Sequence, residues 1–112
     1  MQPRDERLWL EDIQDALRRI AEYTASGRTQ FFESEATQDA VIRNLEVLGE
    51  AARHILVRLL EAAPEVPWQL VIGMRDRLIH GYFILDLEIV WETIERDLPG
   101  LRAAVDRLLA ET

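Results

Sequence analysis

Cysteine is absent from the 112 residues, so no disulfide framework, thiolate nucleophile or cysteine-bound zinc is available. Lysine is absent too: all 13 basic residues are arginine. Source base composition and chemical demand both explain that bias, and the sequence leaves the choice open. Glycine and proline are scarce, at five and four, which excludes a fibrous or low-complexity chain. No apolar run approaches the roughly 18 residues that span a bilayer. Met1-Gln2-Pro3-Arg4-Asp5-Glu6 lacks the apolar segment of a secretory leader. The expectation is a cytoplasmic protein held together by packing.

What is present is a globular composition, 48% hydrophobic and 30% charged, at the commonest size for one domain. A single domain over residues 1–112 is expected. The formal net charge of −8 opposes the long-range attraction by which basic proteins gather nucleic acid. An RNA substrate therefore demands a local cationic site, and the acidity leaves room for a basic partner protein.

Helical period runs from end to end. Trp9, Ile13, Ala16, Ile20 and Tyr23 recur at steps of four and three, one face of a helix over about 4–26 that Gly27 is placed to cap. Residues 28–36, with Phe31 and Phe32, read as a connection with at most one helical turn, and the two rings as an exposed interface patch. Thr37 offers an N-cap for a second helix reaching about Ala62, lined by Val41, Leu45, Leu48, Ala52, Ile55 and Leu59 and stopped by Pro64 and Pro67. Pro67 suits the first turn of a third helix over about 67–80, because its missing N–H has no partner there. Asp86 caps a fourth, with Leu87, Val90, Trp91, Ile94 and Leu98 on one face. Pro99 and Gly100 separate it from a last short helix carrying Leu101, Val105, Leu108 and Leu109. The three tryptophans lie in apolar stripes, so packing is the default reading and base stacking the lesser one. Short links between amphipathic helices imply an all-α, antiparallel bundle of four to five helices.

The chemistry concentrates in Arg75-Asp76-Arg77-Leu78-Ile79-His80-Gly81-Tyr82, directly after the apolar Val71-Ile72-Gly73-Met74. Charged residues on a bundle helix are ordinarily solvated, and spacing alone does not decide against that. Asp76 and His80 are four apart, so the carboxylate has the register to orient the imidazole. Arg77 lies three before His80 and has the register to hold a neighbouring phosphate. Arg75 lies five before His80, about 140° around an ideal helix. The two converge on one phosphate only if Gly81 ends the helix at His80, or if a twofold partner supplies the second set.

This segment resembles the Arg-x4-His-x-Tyr motif of the HepT branch of the HEPN superfamily. The agreement extends to Gly49-Glu50-Ala51-Ala52, Val90-Trp91 and Asp97-Leu98-Pro99-Gly100-Leu101, in the same order and over nearly the whole chain. The resemblance implies a homodimeric, metal-independent endoribonuclease without cofactor, acting as the toxin of a type VII toxin–antitoxin pair. It casts His80 and Arg75 as the catalytic pair in a cleft at the dimer interface, and Tyr82 as the hydroxyl to which a minimal nucleotidyltransferase antitoxin attaches AMP. Bulky anionic adenylate beside His80 and Arg75 would occupy the phosphate site and repel RNA. The rival reading is a non-catalytic helical partner or substrate-binding subunit of the nucleotidyltransferase, with the Arg/His set as a phosphate dock.

Glu46, Glu50 and His54 form a stripe at steps of four. A metal site there is disfavoured, since exposed acidic stripes are common and one chain supplies few ligands. Glu50 is a supporting site candidate because it follows Gly49, whose cost inside a helix points to a close neighbour. His54 reads as a partly exposed helix residue.

Overall fold

The computed structural model describes residues 5–79 and 86–112, with 75–79 as backbone. The described residues form seven α-helical segments and no strand: α1 (Glu6–Tyr23), α2 (Arg28–Glu33), α3 (Glu35–His54), α4 (Leu56–Ala62), α5 (Trp68–Ile79), α6 (Leu87–Arg96) and α7 (Leu98–Glu111). Among the described residues no helix is long and apolar enough to cross a membrane.

Helix α3 is the centre of the packing. It lies against α1 and α5, with α2 and α4 at its ends, while α7 covers α1 and α6 covers α7. Its inward residues Val41, Leu45, Leu48, Ala51 and Ala52 are all buried, so the stripe read from the sequence is the one the fold uses. They join Leu10, Ile13, Ala16, Leu17 and Ile20 of α1 and Leu101, Val105 and Leu108 of α7 in one core cluster. The inward face of α1 is thus turned slightly from the expected one: Tyr23 is exposed, and Trp9 is only partly buried against the core.

Several local expectations are corrected. The first helix stops at Tyr23, where Thr24 caps it, and Gly27 instead opens α2 with φ of 92° and ψ of −176°. Only glycine adopts that region without strain. Residues 28–33 are helical, and Phe31 is fully buried, 5.3 Å from Trp91. Phe32 packs at the core edge beneath the Arg28 guanidinium, so neither ring is an exposed patch. The long helix starts earlier than Thr37, because Ser34 is the cap and its Oγ accepts from the Thr37 N–H at 3.1 Å. It also breaks at Ile55, where φ of −125° and ψ of 27° separate α3 from α4. Pro99 sits inside the first turn of α7 rather than between helices, where a residue without an N–H costs nothing. Asp97 therefore ends α6 and begins α7 in a single residue.

Candidate active site

Arg75, Asp76 and Arg77 lie on the last two turns of α5. Their side chains fall outside the described residues, as do His80, Gly81 and Tyr82. The expected convergence of Arg75 with His80, and the Asp76–His80 pairing, lie outside them too.

The flanks of the segment are packed into the fold. At the start of α5 the Pro67 carbonyl accepts from the Leu70 and Val71 N–H groups at 3.1 and 3.3 Å. The Trp68 indole is fully buried and donates to the Ala63 carbonyl at 2.9 Å, which ties the new helix to the end of α4. Val71, Ile72 and Met74 then seat α5 in the core. Beyond the segment, Asp86 caps α6 as its sequence position suggests, its Oδ1 accepting from the Glu88 N–H at 3.0 Å. Arg28 pairs with Glu88, a contact that holds the guanidinium above its ordinary pKa, and its carbon lies 4.5 Å from the Phe32 ring centre. Val90 and Trp91 are buried behind it. The chain that carries the Arg/His motif is thus anchored on both sides by packed helices.

Glu50 lies on α3, next to the buried Gly49. Its Oε1 is 3.0 Å from His54 Nε2 and 3.7 Å from an Arg53 nitrogen, while its Oε2 is buried. His54 is about half exposed and stacks face to face on Trp9 of α1, ring centres 4.2 Å apart and planes 5° from parallel. The i,i+4 spacing put Glu50 and His54 on one stripe, and the structure pairs them; the stack joins positions too distant in sequence for any periodicity to reveal. Glu46 pairs with Arg43 at 3.7 Å. Among the described residues no group of three or more His, Asp or Glu is arranged to hold a metal ion.

The model of the "HepT-like: Ribonuclease HepT-like" family matches residues 13–108, which spans every candidate residue above. A Thermococcus cleftensis protein named "Probable ribonuclease HepT" is 39% identical over 106 residues, covering 94% of this chain and 96% of its own length. Proteins named "Putative RNase" show similar agreement. One from Methanocaldococcus jannaschii is 35% identical over 107 residues, 95% of this chain and 98% of the relative. Another, from Caldanaerobacter subterraneus subsp. tengcongensis, is 38% identical over 79 residues, 70% of each chain. No solved structure matches the chain. A ribonuclease match that runs from α1 through α7, together with a relative 39% identical over nearly the whole chain, establishes that the chain belongs to the HepT-like ribonuclease family.

Proposed function

We propose that this chain is a metal-independent endoribonuclease, the toxin of a type VII toxin–antitoxin pair, that cuts RNA with Arg75 and His80. The observation that carries the reading is the family match across residues 13–108, with Arg75 delivered on a helix packed against the one that bears Glu50.

The chemistry follows from the residue types. His80 takes the proton of a ribose 2′-hydroxyl, being the side chain whose ordinary pKa lies nearest working pH. The 2′-oxygen attacks phosphorus, the bond to the 5′-oxygen breaks, and that oxygen leaves with a proton. The products are a 2′,3′-cyclic phosphate and a 5′-hydroxyl. Arg75 holds the scissile phosphate, its planar, permanent charge suited to the negative charge that grows there. Asp76 orients His80, Arg77 holds a neighbouring phosphate, and Glu50 supports the set from α3. A homodimer places two such sets in one cleft. The cognate nucleotidyltransferase transfers AMP from ATP to the Tyr82 hydroxyl, releasing pyrophosphate, and the added anion closes the phosphate site.

The test is cleavage of RNA by the purified chain without its partner. His80→Ala should abolish cutting while leaving folding and assembly intact; undiminished cutting removes His80 from the mechanism. After incubation with partner and ATP, mass spectrometry should find adenylate on Tyr82. Neutralisation with Tyr82 unmodified would replace that step by occlusion.

A further inference from the structure

Glu50 straddles the surface and the interior. One carboxylate oxygen is buried, and the other meets His54 Nε2 at 3.0 Å, one turn further along α3. An exposed carboxylate–imidazole pair at that spacing is ordinarily a loose solvated contact. Here the imidazole is not loose. The Trp9 indole lies parallel to it at 4.2 Å and 5°, and Trp9 is itself packed on the core from α1. A stacked indole restricts rotation of the imidazole about its χ angles, so the nitrogen facing Glu50 is held in place. Arg53, at 3.7 Å from the same oxygen, adds charge without a comparable constraint on direction. Trp9, His54 and Glu50 therefore form a chain of contacts from α1 across α3 to a carboxylate beside a buried glycine.

We infer that His54 is a positioning residue of the ribonuclease site: clamped by Trp9, it fixes the rotamer of Glu50 and keeps the buried oxygen directed inward. The inference rests on the reading of Glu50 as a support for Arg75 and His80. His54 acts only through Glu50 and takes no part in proton transfer. Small displacements of supporting groups are costly in such sites, since misplacement by about 1 Å can lower a rate about a hundredfold.

The test compares full-length wild type, His54→Ala, His54→Gln, Trp9→Leu and His80→Ala on a defined single-stranded RNA oligonucleotide. Initial rates and melting temperatures are measured in parallel. His54→Ala should lose about ten- to a hundredfold in kcat with KM unchanged. His54→Gln, whose amide also donates to a carboxylate, should recover most of it. Trp9→Leu, which keeps apolar contact but not the flat face, should fall between. Full kcat in His54→Ala overturns the inference, as does a His54→Gln protein no better than His54→Ala, or losses that merely follow melting temperature. If His80→Ala is inactive while His54→Ala is unimpaired, only the positioning role fails. If wild type and His80→Ala are equally inert, the ribonuclease reading fails and takes the positioning role with it.

Discussion

Trp68 offers the sharpest test of how the motif helix is held. Trp68→Phe removes an indole N–H that donates to the Ala63 carbonyl at 2.9 Å in a fully buried setting. That carbonyl is not orphaned, because the Val66 N–H also donates to it at 3.2 Å. The hydrogen-bond loss should then lie near the ordinary net value of about 1 kcal/mol rather than the larger cost of a stranded acceptor. The smaller ring gives up roughly 40 Å² of buried apolar surface, about 1 kcal/mol more. The sum is about 2 kcal/mol. For 112 residues, with an unfolding entropy of about 2.1 cal/mol/K per residue, this lowers Tm by roughly 8 °C. Urea and thermal denaturation at fixed protein concentration measure it, because an assembling chain has a concentration-dependent Tm. A loss below about 0.5 kcal/mol would refute the contact as an anchor. A loss above about 4 kcal/mol would show that Val66 does not keep the carbonyl satisfied.

The glycines should divide by backbone angle. Gly27→Ala places a side chain at φ of 92° and should cost about 1–3 kcal/mol, whereas Gly73→Ala, helical and with nothing among the described residues within 4 Å of the new carbon, should gain about 0.5–1 kcal/mol in the same melts. Reversing Arg28 or Glu88 singly should lower Tm and reversing both should restore much of it, with the difference shrinking in about 1 M salt because the pair is exposed. The Arg18 hydrogen bond, aided by Arg19, holds Asp15 below its ordinary carboxylate pKa of 3.8. The stability it adds is present above that pH and lost as the pH falls through the lowered folded-state value, so Asp15→Asn should lower stability slightly at neutral pH, leave it nearly unchanged in acid, and thereby flatten the acid limb of a stability profile. RNA affinity should respond weakly to salt for an acidic chain with a local site, and Arg77→Ala should reduce the log–log slope by roughly 0.7, one single-strand phosphate contact. An unchanged slope would remove Arg77 from RNA binding.

Much of this architecture was legible because helical burial leaves a period. Val41, Leu45, Leu48 and Ala52 share a face in the sequence and share the core in the fold. Asp86 was legible as a cap because a carboxylate before an apolar stripe has one common use. The break at Ile55 was not, since one non-helical residue barely disturbs the phase that carries the stripe on to Leu59. The sequence pointed to Thr37 as the cap, whereas Ser34, three residues earlier, takes the role, because either hydroxyl residue has the chemistry to cap and the apolar period does not reach back to mark the first turn. Phe31 looked exposed because its helix has only six residues, too short for a period to register. At the candidate site, register showed that Glu50 and His54 share a face, while the partner that clamps His54 comes from another helix. The roles of Arg75, His80 and Tyr82 came from family resemblance, because spacing alone admits a solvated face as readily as a phosphate site.

The shared residue between α6 and α7 bears on how the chain tolerates changes in length. Asp97 closes one helix and opens the next with no connecting loop. A single residue inserted there would turn α7 by about 100° and swing Leu101, Val105 and Leu108 away from their partners. The turn at Thr24–Gly27, with Ala25 and Ser26 exposed, has slack to absorb such an addition. Length variation among relatives should accordingly gather between the first two helices and avoid the elbow between the last two.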